Sequence, residues 1–161
     1  MKRIAVSVSA QQLFVIDDDR LLARFAVSTA AKGMGCEEGS LRTPTGRFRI
    51  SEKIGDGEPL GTIFKARVAC GVWNGDEKPE DDLILTRILR LEGVDPWNLN
   101  TMDRYIYIHG TNHESSIGSP ASHGCVRMAN RDMMALYEMV ECGDRVEIYP
   151  ENEEACAGYV W

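Results

Sequence analysis

Tyr105-Ile106-Tyr107-Ile108-His109-Gly110, followed after a polar loop by Ser122-His123-Gly124-Cys125-Val126-Arg127-Met128, is the stretch on which the reading of this chain turns. Aromatic and β-branched residues over 105–109 predict a strand with His109 at its end. Beyond Met128, Met133, Leu136, Tyr137 and Val140 recur at i, i+3, i+4 and i+7, one apolar stripe that predicts a helix over 131–142. Asn130 is its expected N-cap, Asp132 lies in the first turn where the dipole favours it, and Gly143 is the expected stop. No other segment shows a convincing helical period.

Upstream the pattern is strand-like. Ile4–Ser9, Leu13–Ile16 and Leu21–Val27, with Asp17-Asp18-Asp19 as a turn, predict a β-meander. Residues 31–39 read as a Gly-rich loop, Arg42-Thr43-Pro44-Thr45-Gly46 as a turn, and Arg47–Ile50 as a half-exposed strand. Further strands are predicted at Lys65–Val72, Leu83–Leu91 and Arg145–Tyr149. The acidic stretch Asn74–Asp82 is expected to be a solvated loop, with a lid as the functional alternative. The expectation is a mostly β fold with one main helix, in a single domain over 1–161 with its core at about 4–149 and a short tail at 150–161.

A chain of 161 residues fits one core. Eighteen Lys and Arg against 25 Asp and Glu leave a net charge of −7, which argues against nucleic acid and anionic membrane surfaces as partners. Every apolar run is far below the roughly 20 residues that span a bilayer. The opening Met1-Lys2-Arg3-Ile4-Ala5-Val6-Ser7 is interrupted by serines at strand period, so it reads as a first strand and not a secretory leader. Five cysteines, Cys36, Cys70, Cys125, Cys142 and Cys156, form no disulfide framework and suit reduced thiols. A cytoplasmic location is therefore expected, or a periplasmic one if a leader has been removed. Oligomeric state is not legible.

All three histidines, His109, His113 and His123, share one window with Cys125. A cysteine attacks as thiolate, and at an ordinary pKa of about 8.5 it needs a base or a positive field nearby. A histidine at a strand end can supply the first and Arg127 the second. Gly124 lets the backbone turn so that the amides of His123, Gly124 and Cys125 converge as an oxyanion hole. These residues suggest acyl transfer through a thioester. The bland alternative for Cys125 is a small buried hydrophobe, which is the default for the other four cysteines. A zinc site drawn from His109, His113, His123 and Cys125 is the sharper competitor, although the first pair lies in a loop and not on one helix face. His113 is expected to face solvent.

The two motifs closely resemble the signature of the YkuD-type L,D-transpeptidase family, and agreement extends from about Ile4 to Tyr149, including Val27-Ser28-Thr29, Arg42 to Phe48, Asn130 and Asp132. The resemblance implies a β-sandwich-like catalytic domain without a cofactor or metal, in which a thiolate attacks the L-centre carbonyl of diaminopimelate in a murein stem peptide and expels D-alanine. It implies Cys125 as nucleophile, His109 as base, the Gly110 carbonyl as orienter of the imidazole, and His123, Gly124 and Cys125 as the oxyanion segment. Arg127 matches the family's arginine, to hold the active-site loop or meet a substrate carboxylate, with an internal salt bridge as the structural alternative. Short relatives without leaders imply an L,D-carboxypeptidase that trims tetrapeptide to tripeptide in murein recycling, ahead of a crosslinking transpeptidase. Arg42, Arg87 and Arg104 are expected to be structural or solvated.

Overall fold

A computed structural model describes residues 1–78 and 80–150. All but Pro150 of the expected tail, Cys156 included, lies outside the described residues. The strands are β1 (Lys2–Ser7), β2 (Gln12–Asp17), β3 (Arg20–Ser28), β4 (Gly46–Ile54), β5 (Thr62–Lys65), β6 (Val68–Val72), β7 (Ile84–Gly93), β8 (Tyr107–Thr111), β9 (Val126–Met128) and β10 (Arg145–Tyr149), with one α-helix, α1 (Asn130–Met139). The fold is mostly β with a single helix, as expected.

The first three strands form the antiparallel meander. The strands follow the order β4-β10-β1-β2-β3-β9-β8-β7-β5-β6, and β4 also pairs with β7. That extra pairing closes the ladder around a core that includes Ile4, Phe48, Leu89, Ile108, Met133 and Leu136, all inaccessible to solvent. Helix α1 lays Met133, Leu136 and Tyr137 against β7 and β8. Two neighbouring pairs, β1–β10 and β8–β9, are parallel. Parallel strands are usually buried on both faces, and every residue of β8 and β9 is buried. They also need a long crossover, here residues 112–125, which carries a 3-10 turn at Glu114–Ser116.

Three expectations are corrected. The single strand at 65–72 is a hairpin, because Ala66 and Arg67 turn the chain with φ of +47° and +66°. Two-residue hairpin loops favour positive φ, but neither residue is the Gly or Asn that signals one in sequence. The strand expected at 105–109 runs over 107–111, since Tyr105 has φ +55°; His109 is therefore mid-strand. The helix begins at Asn130, with Ala129 in the N-cap position, and ends before Gly143. The Asn130 amide is instead capped from a distance by Glu114 Oε2 at 3.0 Å, which frees the Asn130 side chain.

Candidate active site

In the β8–β9 register Ile108 opposes Val126, His109 opposes Arg127 and Gly110 opposes Met128. Side chains two apart share a face. His109 thus lies beside Arg127, and two residues back along both chains Cys125 lies beside Tyr107, whose amide donates to Cys125 Sγ at 3.4 Å. Cys125, immediately before β9, is thus diagonal to His109 across the parallel pair. The thiol donates to the Tyr105 carbonyl at 3.4 Å, so its proton points away from the imidazole in this arrangement.

The His109 ring is buried, and its Nδ1 lies 2.5 Å from the Gly110 carbonyl. A carbonyl only accepts, so Nδ1 carries the hydrogen and Nε2 of the neutral ring keeps its lone pair. Burial lowers the His109 pKa, against the opposing pull of the Gly110 carbonyl and Asp82. Burial also pushes the Cys125 thiol up to about 11, with the Tyr107 amide opposing. The positive field expected at the thiol is therefore outweighed by desolvation.

Several elements fix Gly110, whose carbonyl orients the ring. In β7, Leu85 opposes Gly110 and Ile88 opposes His109, so Thr86 and Arg87 bulge out of the ladder at that step. Thr86 has φ +74°, an outlier for a β-branched residue. Its hydroxyl donates to Asn130 Oδ1 at 2.7 Å and accepts the Gly61 amide at 3.1 Å, while Asn130 Nδ2 donates to the Thr111 carbonyl at 2.9 Å. A Cβ at Gly110 would collide with Asn130 Oδ1 and lie 2.7 Å from the Leu85 carbonyl, so this position admits only glycine.

The turn before β9 is braced from two sides. Ser122 Oγ donates to the Cys125 carbonyl at 2.6 Å and accepts the Gly124 amide at 3.2 Å. Thr43 Oγ1 accepts the Ala30 amide and donates to the Gly124 carbonyl, both at 2.9 Å. Gly124 has φ +131°, which disfavours any side chain. Its amide is engaged by Ser122, so the expected convergence of three amides does not extend to Gly124 here.

Arg127 is buried and donates to Asp82 Oδ1 at 2.7 Å and to the Ala121 carbonyl at 3.3 Å. Its guanidinium thus makes an internal ion pair and also holds the loop. His123, largely exposed, places Nδ1 3.1 Å from Asp82 Oδ2. Burial would raise the Asp82 pKa, but Arg127, His109 and His123 together hold it below the ordinary carboxylate value. Asp82 is the residue that the sequence reading missed. The solvated loop expected at 74–82 is docked on the crossover: Glu77 accepts the Ser115 amide at 3.0 Å and hydroxyl at 2.7 Å, and the Asp81 carbonyl accepts from Asn112 at 3.1 Å and from His113 Nε2. His113 is accordingly half-buried and not solvent-facing. The available signal was a window holding His113, His123 and Arg127 in a chain with an acidic run and no stated partner for it.

His113 and His123 reach toward Asp81 and Asp82, away from a common centre with His109 and Cys125, and among the described residues no group of three or more potential ligands forms. Arg104 is structural, donating to the carbonyls of Gly35 at 3.1 Å and Arg42 at 2.6 Å. Arg87 is buried beside Thr86, and Arg42 is exposed.

Residues 1–148 match the model of the YkuD family, the L,D-transpeptidase catalytic domain. A Bacillus subtilis (strain 168) protein named for L,D-transpeptidase activity, YkuD, is 44% identical over 146 residues, 90% of this chain and 64% of its own length. Its namesake from Bacillus licheniformis is 28% identical over 149 residues, 92% of this chain and 66% of its own. The chain therefore spans just under two thirds of these relatives. Among solved structures, the L,D-transpeptidase from Xylanimonas cellulosilytica superposes with a TM-score of 0.58 at 22% identity, covering 92% of this chain and 60% of that one, a likeness of fold. With its motif-bearing strands and crossover matched along nearly its whole length, the chain belongs to the YkuD family of L,D-transpeptidase catalytic domains.

Proposed function

We propose that the protein is a cysteine-dependent acyl-transfer enzyme that cleaves the diaminopimelate–D-alanine bond of murein stem peptides, with water as the acceptor, as an L,D-carboxypeptidase. The observation that carries the reading is that Cys125, immediately before β9, sits beside Tyr107, two residues from His109 along β8. The neutral imidazole, with Nδ1–H committed to Gly110, offers Nε2 as base once the thiol turns from Tyr105. The Cys125 S–H proton passes to Nε2 as the sulfur–carbon bond forms, and the tetrahedral oxyanion is met by the amides of His123 and Cys125, joined by Gly124 if Ser122 releases it. Nε2 then protonates the D-alanine nitrogen as the carbon–nitrogen bond breaks. Water attacks the thioester, giving one proton to Nε2, and the carbonyl re-forms with expulsion of the thiolate, which recovers that proton.

Hydrolysis is supported by the closeness of the acidic loop. His109 is 3% exposed with the Asp82 charge near it, and the acceptor must approach the same Nε2 that D-alanine leaves. A water or a single amino acid fits that approach better than a second stem peptide. The relatives' names favour the second reading, transpeptidation to an amine. Incubating purified protein with tetrapeptide, with and without an acceptor amine, and weighing the products decides between them. Hydrolysis predicts D-alanine and tripeptide without acceptor, both abolished in Cys125→Ala. Release only with acceptor establishes transpeptidation, and release that survives Cys125→Ala defeats both.

A further inference from the structure

Next to Cys125 a cavity of about 370 Å³ is lined by Ala66, Arg67, Ile84, Tyr105 and Tyr107. Its walls are apolar and aromatic apart from one charge, the half-buried Arg67 at the tip of the β5–β6 hairpin. The guanidinium donates through Nη1 to the Tyr107 hydroxyl at 3.1 Å and lies 5.8 Å from the centre of the Tyr105 ring. The same two tyrosines hold the sulfur, Tyr107 through its amide and Tyr105 through its carbonyl. Three residues here, Ala66, Arg67 and Tyr105, adopt positive φ without being glycine, so the backbone is held in a disfavoured conformation where it shapes this wall. A single oriented guanidinium in a chain of net charge −7 is a specific device for a carboxylate.

The register orients the ligand. Cys125 lies beside Tyr107, His109 is two residues farther along β8, and Tyr105 is two residues the other way. The leaving nitrogen must take its proton from His109, so the departing residue occupies the His109 side and the retained acyl residue extends toward Tyr107 and Arg67. We propose that Arg67 binds the side-chain carboxylate of the acylating diamino acid, and so selects diaminopimelate over lysine at the scissile position. This rests on the L,D-cleavage reading above.

The test compares release of the C-terminal residue by the wild type, Arg67→Gln and Arg67→Lys on four tetrapeptides: with diaminopimelate, with its side-chain carboxylate amidated, with lysine, and with diaminopimelate but a C-terminal D-alaninamide, which is released as the amide. A charge-assisted contact of this kind is worth roughly 10- to 100-fold. The wild type should prefer the free side-chain carboxylate by that factor in kcat/KM. Arg67→Gln should raise KM for that substrate alone and erase the preference, with partial rescue in Arg67→Lys. An equal loss on all substrates, as a merely distorted hairpin would give, overturns the proposal, and so does an undiminished preference. If instead Arg67→Gln erases discrimination against the C-terminal amide, Arg67 reads the leaving residue and the assignment fails. Should the wild type release no D-alanine, the reaction reading fails separately. Calorimetric binding of the same peptides to Cys125→Ala, with and without Arg67→Gln, then decides: weaker binding of only the free side-chain carboxylate by the double variant upholds the assignment, and equal or absent binding overturns it.

Discussion

Desolvation pushes the Cys125 thiol up to about 11 although Arg127 and Arg104 pull it down, so it keeps its proton at neutral pH; Arg127 is itself committed to Asp82. His109 is neutral for the same reason, so the resting site holds a thiol and an imidazole and not an ion pair. Reaction then requires the base to act during attack. Alkylation of Cys125 by a small neutral reagent should accelerate about tenfold per pH unit from 7 to 10 without levelling, since only the thiolate reacts. Peptide mapping separates it from Cys36, Cys70, Cys142 and Cys156. A plateau near pH 8.5 would mark an unperturbed thiol and refute the account.

Among the elements, the parallel β8–β9 pair brings residues 109 and 125 together, the β7 bulge with Asn130 packs against Gly110, whose carbonyl orients the ring, and Asp82 pairs with Arg127 beside it. Asp82 also acts on that ring, because its charge favours protonation of His109 against the effect of burial. Asp82→Asn keeps the shape but removes that charge. The acid limb of the kcat/KM profile should therefore move to lower pH, and an unmoved limb would show that Asp82 and His109 are not electrically coupled. The ties of the 74–82 segment to Ser115, Asn112 and His113 are absent from any local pattern, which is why its acidic residues read as solvated.

For the whole molecule, closure of the ladder by β4–β7 encloses the core that holds Ile108, and the imidazole of His109 is buried on the opposite face of β8. Folding thus transfers His109 in its neutral form. Its native pKa lies below the ordinary 6.5, so between those two values the unfolded chain binds more protons and stability falls as pH drops below about 6.5. Asp82, held below its ordinary 3.8, loses its contribution only at lower pH, as it is protonated in the native state. Urea unfolding between pH 7 and 5 should show this decline, and His109→Asn should flatten it. An equal slope in the variant would place the proton linkage elsewhere.

The sequence by itself determined the residues that could do chemistry, the meander, the one helix and the chain-wide family pattern, because each is carried by a local pattern: a short apolar run in Leu13–Ile16 bounded by a turn, period 3.6 across Met133 to Val140, and contiguous motifs around His109 and Cys125. Tertiary structure decided what those residues meet. The pairing of Arg127 with Asp82, the burial that raises the thiol, the capping of Asn130 by Glu114 and the turn that aims Arg67 all join segments far apart in the chain or override local preference. Desolvation and cross-chain hydrogen bonds depend on which distant groups fill the space around a residue, and that becomes definite only when the sheet has closed.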